Sequence, residues 1–558
     1  MNISIKLRKN YSINRRKFLK TTGAASAGLV VLTNQSEASS IPEKEKFQIL
    51  ITADLHAQLF THDEFFWENE KPVFRKRGGV AVLKTMISHF RKKEKNTILI
   101  DAGDYFHGHA IATLTEGEAL IPFMNAFDYD LVIPGNWEVV YRKQKMIHDL
   151  GSSTAAKVCA NMYHADEQGN KGELIFPPYF IREMSGARIG FVGYTDHLVP
   201  RRQPPAFSKG IAFSHATESI AHYIKILREQ EKCGIIFIVT HMGLAQQVGL
   251  ANHPAAEGAD FILGSDTHER VREPIQGKYA KVIECGAFGS FLGKLTAEIQ
   301  NGKLHQVHYE LLDADPEKFP PDPLIQSMAE AAAKPLQHEL SPILGYTTTP
   351  LLRYFVLETP MDNLITDAIY RKFNPDIALS NGFRFCQPLA VPENGQAAIT
   401  KEFLWNMLPL DSEAREGWVT GTQILNWLEQ ELENAFATDP SKRFGGWFVR
   451  YAGMKAVFTI GNPTGKRVQE VHIGGNPIDP GKSYRIVACE REGDPATTLC
   501  RINNVRNPSS LGIFLHKIIE EYLTEHSPVA PVIEGRAIAT DQPSTLLTQL
   551  QGTTYRFR

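Results

Sequence analysis

The residues of this 558-residue chain that are best suited to chemistry are aspartates and histidines that follow short apolar runs. Two pairs share one spacing, since Asp54-x-His56 follows "FQILITA" and Asp266-x-His268 follows "FILGS". In an extended segment, residues two apart point to the same side, so each pair is predicted to aim both side chains at one point. Carboxylate oxygens and imidazole nitrogens are common metal ligands. The repeated spacing therefore favours a metal site.

Three further donors occupy the same kind of position. Asp104 after Gly103, Asn136 after Gly135, and His241 each lie where another apolar run ends. Ligands of open α/β sheets bind outside the carboxyl ends of the strands, so donors from five strand ends are expected at one sheet edge. Seven oxygen and nitrogen donors suit two divalent cations that share one carboxylate. A single residue of this kind is more often a cap or a turn residue, and it is the repetition that indicates the metal centre.

Strands and helices alternate in the part of the chain that carries these donors. Apolar runs such as "TILID" and "IIFIVTH" are predicted to be buried strands, and residues 79–93 and 215–232 are predicted to be helices. This alternation predicts the α/β class, with β-sheets flanked by helices. The proline-rich segment 313–323 marks a boundary. The predicted units are an N-terminal segment over 1–38, a layered α/β domain over 45–315, a linker helix over 316–344 and a second α/β domain over 345–540.

The first 38 residues differ in composition from the rest of the chain. The paired Arg15 and Arg16 precede a short stretch of small apolar residues, which ends at the cleavage candidate "SEA" over 36–38. This pattern predicts a twin-arginine signal, cleaved after Ala38, that exports the folded protein to the periplasm. The apolar stretch 21–32 is shorter than the roughly 20 residues that span a membrane, so no stable membrane anchor is expected.

Charge and cysteine usage exclude several other classes of protein. The net charge is −2 and no run of lysine and arginine resembles a polyanion groove, so we expect no nucleic-acid partner. None of the six cysteines lies in a CxxC pair, which argues against a thiolate zinc site. Cys489 and Cys500 either pair in an oxidising compartment or stay as free buried thiols.

The donor motifs together resemble the metallophosphoesterase signature of the 5'-nucleotidase superfamily. In the second region, "SNGFRF" and "GWFVRYAGMKAVF" resemble the C-terminal substrate-binding domain of that superfamily. The resemblance implies one metal ion held by Asp54, His56, Asp104 and His268, and another held by Asp104, Asn136, His241 and Asp266, with Asp104 bridging. It also implies substrate contacts from Asn381, Arg384 and Phe448. Manganese is favoured over zinc, because a carboxylate at position 266 suits harder ions.

Two positions depart from the nucleotidase pattern. Asp266 takes the place of a histidine, so it either ligates through its carboxylate or leaves the second metal site weak. Trp137 replaces the histidine that supports the transferring phosphoryl group, and tryptophan cannot do this proton work. "NWEVVY", "DLHAQL" and "AFGSFLGKLTAEI" instead resemble the SoxB-like thiosulfohydrolase branch, although Asn136 stands where that branch often has histidine. The resemblance assigns the catalytic positions to Asp104, Asn136 and Trp137.

A two-metal site predicts a hydrolase in which metal-bound hydroxide attacks a sulfur- or phosphorus-centred ester. The twin-arginine pattern predicts that this hydrolase is exported. A thiolate departs unaided because its conjugate acid has a pKa of about 8.5, whereas a sugar alkoxide benefits from an acid. Trp137 therefore favours a thiosulfohydrolase that acts on the cysteine S-thiosulfonate of a sulfur carrier protein. One alternative is a 5'-nucleotidase-type phosphomonoesterase acting on a small anionic ester, with His107 or His109 as a substitute acid. The other is a metal-bearing binding protein without catalysis.

Overall fold

The computed structural model describes residues 45–382, 386–547 and 550 of the chain. The predicted export signal and Arg384 therefore lie outside the described residues. Among the helices of the described part, none has the length and apolar character needed to cross a membrane. We refer to residues 45–315 as the N-lobe and to residues 345–547 as the C-lobe.

The N-lobe is built on two six-stranded sheets whose inner faces share one apolar core. Alternation along each strand decides which side chains enter it. Phe47, Ile49 and Ile51 point into this shared core, whereas Leu50 points to the opposite face. In spatial order, the strands are Lys303–Asp313, Phe291–Gln300, Glu45–Thr52, Thr97–Asp101, Leu131–Val132 and Ala156–Lys157 in the first sheet, and Ile275–Gln276, Lys281–Glu284, Phe261–Gly264, Ile235–His241, Ala187–Thr195 and Tyr179–Met184 in the second.

Helices cover the outer faces of both sheets. The predicted helix over 79–93 is Val80–Lys93, which buries Leu83, Ile87 and Phe90 against the first sheet. The predicted helix over 215–232 is broken into a 3₁₀ turn, an α-helix and a π-helical turn. The α/β fold class is thereby confirmed. The N-lobe helices are Val80–Lys93, Ala110–Leu114, Ile121–Phe127, Arg142–Gly151, Val199–Arg202, Ile220–Lys225 and Leu244–Asn252.

Smaller elements complete the N-lobe and lead into the C-lobe. The strands Phe291–Gln300 and Lys303–Asp313 form the predicted hairpin, in which Asn301 and Gly302 both have positive φ, as a type I′ turn requires. The segment predicted as a linker helix contains Pro323–Ala333, followed by a 3₁₀ turn and the short helix Gln337–Leu340. The remaining small strands are His62–Glu68, Lys71–Arg77, Met162–Ala165, Lys171–Leu174, Ile211–Phe213, Ile343–Thr347 and Ala397–Thr400.

The C-lobe packs helices on a mixed five-stranded sheet and adds a four-stranded sheet beside it. In spatial order, the strands are Arg450–Ala452, Ile377–Ser380, Ser483–Cys489, Glu413–Thr420 and Arg506–Phe514 in the larger sheet, and Asn476–Pro477, Val468–Ile473, Met454–Phe458 and Ala537–Ala539 in the smaller one. The helices are Pro360–Phe373, Lys401–Met407, Gly421–Phe436 and Leu515–His526. The amphipathic faces of these helices supply much of the two C-lobe cores.

Candidate active site

The seven predicted metal donors lie together at one edge of the N-lobe sheets, and all are buried. Asp54, His56 and His268 bring their ligand atoms within 4.8 Å of one another, and so do Asp54, Asp104 and His241. Across the two groups, Asp104 Oδ2 lies 3.1 Å from His241 Nε2 and 3.8 Å from His56 Nε2. The structure therefore brings these donors into two adjoining clusters, with both Asp54 and Asp104 between them.

Asn136 and Asp266 adjoin the second cluster. The Asn136 amide donates to Asp266 Oδ1 over 2.5 Å, and that same oxygen lies 3.7 Å from His241 Nε2. Asp266 also donates its backbone N–H to the Asp54 carboxylate, at 3.1 Å from Oδ2. Each of the seven predicted donors therefore contacts at least one of the others, and together they form one continuous network.

The imidazole contacts suit metal ligation. His56 Nδ1 donates to the backbone carbonyl of His107 over 2.8 Å, and His241 Nδ1 lies 2.8 Å from that of Ala102. Ligating histidines usually donate one ring N–H in this way, which leaves the Nε2 lone pair for the metal. His241 Nε2 then faces the Asp104 carboxylate, and two electron-rich atoms meet there unless a cation or a proton lies between them. This donor set fits divalent cations.

The pKa shifts of residues in the second cluster indicate that a bound positive charge would stabilise its ionised carboxylates. Burial alone would lower the pKa of His241, but the facing carboxylates, above all that of Asp104, raise it well above its usual range. Burial raises the pKa of Asp54, and the nearby Asp104 carboxylate adds to the rise. Carboxylates that crowd together without water favour a bound cation, because a cation lowers the energy of their ionised forms.

The backbone at these donors corrects one expectation from the sequence. Asp54 and His56 have φ of 49° and 47°, and Asp266 and His268 have φ of 94° and 58°. These are left-handed conformations, so each pair converges through a tight loop after the strand and not through the alternation of an extended segment. Such conformations cost on the order of 1–3 kcal/mol each and persist at functional sites where the surrounding structure holds them.

Glu138 is a supporting residue that the sequence analysis missed. Its carboxylate accepts hydrogen bonds from the backbone N–H groups of Gly135, Asp104 and Tyr105, at 2.6, 3.1 and 2.7 Å. One side chain thereby ties the loop of Asp104 to the loop of Asn136. Burial raises the pKa of Glu138 to about 8, and the neighbouring Asp104 contributes to the rise. The signal in the sequence was the carboxylate three residues after Gly135.

Replacing Glu138 with glutamine is expected to weaken Mn²⁺ binding by about 10–100-fold, as is typical when a partner of the ligand loops is removed. The carboxylate offers two acceptor oxygens to these backbone N–H donors. The glutamine amide has only one acceptor oxygen, so its NH₂ group would face a backbone N–H donor. Titration of metal-free protein with Mn²⁺ measures the effect, with Glu70→Gln on an exposed turn as the matched control. Equal Mn²⁺ affinity of the two variants would contradict this role.

Comparison with known proteins agrees with this geometry. Two family models match the chain, calcineurin-like phosphoesterase over residues 47–270 and the 5'-nucleotidase C-terminal domain over residues 344–490. The chain belongs to the 5'-nucleotidase superfamily. Its metallophosphoesterase domain is of the family that uses a dinuclear metal site, and the protein is therefore a metal-dependent hydrolase.

Relatives within the superfamily carry different names. Sulfate thiohydrolase SoxB of Thermus thermophilus, solved in complex with glycerol, is 21% identical, with a TM-score of 0.79 over 90% of this chain and 98% of that one. A 5'-nucleotidase precursor, also of Thermus thermophilus, is 22% identical, with a TM-score of 0.76 over 89% of this chain and 100% of that one. The trifunctional nucleotide phosphoesterase YfkN of Bacillus subtilis is 25% identical over 81% of this chain, which spans only 33% of YfkN.

Trp137 lies at the metal edge, at the position where the resemblance to nucleotidases implies a histidine. Its backbone N–H donates to Asp104 Oδ1 over 2.8 Å, and its ring stacks on the ring of His107 at 4.5 Å. Burial and the nearby His56 lower the pKa of His107 to about 3. His109 caps the helix that follows it, and burial lowers its pKa to about 4. At these pKa values both imidazoles are neutral at neutral pH.

A cavity between the two lobes opens beside Trp137. On the N-lobe side it is lined by Arg202 and Gln203, and on the C-lobe side by Asn381 and Arg491 among mostly aliphatic side chains. Arg491 also joins the lobes, since its guanidinium donates to the backbone carbonyl of Gln203 over 2.6 Å and to that of Arg201 over 2.9 Å. Of the predicted substrate residues, Asn381 therefore lines this cavity.

The structure places Phe448 in the C-lobe core and describes two cysteines as free. Phe448 is fully buried in the C-lobe core, where its ring lies 5.1 Å from that of Phe458. In this arrangement the Phe448 ring fills the core, and a substrate contact from it stays a prediction. Cys489 and Cys500 are both free thiols, and Cys489 lines the cavity between the lobes.

Proposed function

We propose that this superfamily member is an exported thiosulfohydrolase that cleaves the cysteine S-thiosulfonate of a sulfur carrier protein. The observation that carries the proposal is Trp137, which stands at the metal edge and lines the cavity where nucleotidases have an acid-supporting histidine. Export to the periplasm rests on the paired Arg15 and Arg16, which precede the described residues.

The reaction needs a strong nucleophile and no acid. Divalent ions, with manganese favoured over zinc, would supply Lewis acidity and lower the pKa of a coordinated water from about 15.7 towards about 7. The oxygen of water forms a bond to the sulfonate sulfur while the bond from that sulfur to the sulfane sulfur breaks, and the sulfane sulfur leaves with the bonding electron pair, still attached to the cysteine sulfur, as a persulfide anion. A thiol has a pKa of about 8.5 and a persulfide is a stronger acid than a thiol, so this group departs without a proton donor. The products are a cysteine persulfide on the carrier and sulfate, and the protons of the water pass to solvent.

The C-lobe wall of the cavity also supports a substrate other than a nucleotide. Its lining includes the aliphatic side chains of Ile365, Leu379 and Met407. The aromatic ring expected to stack on a base, that of Phe448, is buried in the core instead. A nucleobase stacks best on an aromatic face, whereas an extended peptide with a modified cysteine needs none.

A direct comparison of substrates tests the proposal. Mature protein purified from the periplasm is loaded with Mn²⁺ and assayed on a carrier-bound cysteine S-thiosulfonate and on a nucleoside monophosphate. Sulfate release from the carrier, with phosphate release lower by at least tenfold in kcat/KM, is the expected result. Rapid phosphate release together with no sulfate release would overturn the sulfur assignment.

A 5'-nucleotidase-type phosphomonoesterase is the second candidate, and Asn136 favours it. Asparagine at this position matches the nucleotidase pattern, whereas the thiosulfohydrolase branch often has histidine there. Several relatives also carry the name 5'-nucleotidase, among them that of Diplobatis ommata, which is 23% identical over 94% of this chain. For this candidate, turnover of a nucleoside monophosphate should dominate in the wild-type protein.

Replacing Trp137 with histidine separates the two candidates in a second way. If the wild-type protein lacks an acid for alkoxide departure, Trp137→His is expected to raise hydrolysis of a nucleoside monophosphate by at least about tenfold, since general acid–base catalysis typically contributes about 10²–10⁴-fold. Trp137→Phe is the control, because it also removes the indole but adds no titratable group. Equal phosphatase rates for the two variants would contradict the assignment of Trp137 as the residue that limits phosphoester cleavage.

A further inference from the structure

Both carboxylate oxygens of Asp266 are held by one arginine. Arg202 Nη1 donates to Asp266 Oδ2 over 2.8 Å, and Nη2 donates to Oδ1 over 2.9 Å. This two-pronged arrangement is the strongest geometry for an arginine–carboxylate pair, and it fixes the orientation of the carboxylate plane. The Arg202 side chain is only 12% exposed, so water screens the pair weakly.

The guanidinium of Arg202 is itself held in place. Its Nη1 also donates to Asp196 Oδ2 over 2.9 Å, and the Asp196 carboxylate is fully buried and accepts the backbone N–H of Leu198. The next residue, Gln203, donates its side-chain amide to Asn136 Oδ1 over 3.1 Å. Consecutive residues of one segment thus hold Asp266 and Asn136, the two donors that adjoin the second metal cluster.

The charges of Asp266 and Arg202 indicate what this arrangement does. A ligating histidine is neutral, whereas the aspartate at position 266 adds a negative charge beside Asp54 and next to His241, which also faces Asp104. Like charges in a buried site oppose one another strongly, because the effective dielectric constant there is low. Arg202, which is always protonated, places one positive charge against the additional carboxylate.

We propose that Arg202 is a positioning residue of the second metal site, which orients the Asp266 carboxylate towards Asp104 and His241 and offsets its charge. The Arg202–Asp266 pair would thereby replace the neutral histidine that the superfamily usually has at this position. The inference concerns the affinity for the second cation. It therefore does not depend on whether the substrate is a sulfur ester or a nucleotide.

Mn²⁺ titration of the metal-free full-length mature protein tests this role without any substrate. Calorimetry or Mn²⁺ electron paramagnetic resonance resolves the two binding steps in the wild type, Arg202→Met and Arg202→Lys. We expect Arg202→Met to weaken the second step by about 10–100-fold and to leave the first within about twofold, as loss of a ligand partner typically does. Arg202→Lys keeps the charge but not the two-pronged contact, so an intermediate loss is expected.

A double-mutant cycle distinguishes positioning from a general loss of structure. In an Asp266→His background there is no carboxylate to hold, so Arg202→Met should change the second Mn²⁺ affinity by less than about twofold. Arg201→Met, which removes an exposed neighbouring charge, should bind Mn²⁺ like the wild type. An unchanged second affinity in Arg202→Met, or an equal loss in both backgrounds, would overturn the proposal. If Arg202→Met does not fold, the same cycle with Arg202→Lys decides the question.

Discussion

Replacing Asp104 with alanine is expected to lower kcat/KM by at least about 10³-fold, because a side chain that bridges both cations, as the resemblance to the superfamily implies for Asp104, would contribute to metal charge and to transition-state stabilisation together. Its carboxylate lies between His241 and His56, which belong to different clusters. Burial alone would raise the pKa of Asp104, but the two imidazoles and the backbone N–H of Trp137 hold it well below its usual range. The group is therefore ionised and ready to ligate at neutral pH.

Metal analysis accompanies the kinetic measurement. Asp104→Ala is expected to retain fewer than one metal ion per chain after dialysis, compared with two for the wild type, because the bridging role implied by the resemblance would remove a donor from both metal sites. Asp166→Ala is the matched control, since Asp166 lies on an exposed turn. Two tightly bound ions in Asp104→Ala would show that the clusters do not share this carboxylate.

Replacing Glu64 with glutamine is expected to lower the free energy of unfolding by about 3 kcal/mol at pH 7. Glu64 is buried and accepts hydrogen bonds from Arg270, Ser290 and the hydroxyl of Tyr354, at 2.6, 2.6 and 2.5 Å. Burial would raise its pKa, but Arg270 and the adjacent His62 lower it from 4.5 to about 2. The variant leaves the Arg270 charge buried without its carboxylate, which is costly.

The sign of this pKa shift fixes the pH dependence of the effect. Because the pKa of Glu64 is lower in the folded state, its contribution to stability is complete above about pH 4.5 and is lost as the pH falls towards about 2. Urea unfolding should therefore show the largest difference between wild type and Glu64→Gln at pH 7 and a smaller one at pH 3. Glu70→Gln controls for loss of a surface charge. A difference that does not change with pH would rule out the ionised Glu64 as its source.

The metal donors were predictable from the sequence because their chemistry and their position relative to apolar runs are both local features. Asp54, Asp104 and His241 each follow a strand that the apolar pattern reveals, and parallel strands bring their carboxyl ends to one edge. The left-handed backbone at Asp54 and His56 was not predictable, since aspartate and histidine adopt it more often than most residues but still in a minority of cases. Tertiary contacts hold these conformations, and the sequence does not display such contacts.

Residues that support the site were harder to predict than the donors. Arg202 and Asp266 are 64 positions apart, and nothing in a single sequence indicates that they pair. The core position of Phe448 was not predictable, because an aromatic residue next to a strand looks the same in the sequence whether it lines a cavity or fills a core. Glu138 directly follows Trp137, and the motif that contains both residues was interpreted from the tryptophan alone. Long-range pairing and the direction of side chains therefore account for most of what the sequence did not reveal.

The contacts of Arg491 connect the cavity to the metal centre. This C-lobe arginine binds the backbone of Arg201 and Gln203, and the same segment holds Asp266 and Asn136 through the side chains of Arg202 and Gln203. A large ligand that separates the lobes must break the Arg491 hydrogen bonds to residues 201–203, and this segment then holds the metal donors less firmly. Thermodynamic reciprocity then requires that binding of the second cation disfavour separation of the lobes, by the same free energy by which separation of the lobes weakens binding of that cation. Cation supply would in that way govern how readily the cleft admits a bulky protein substrate.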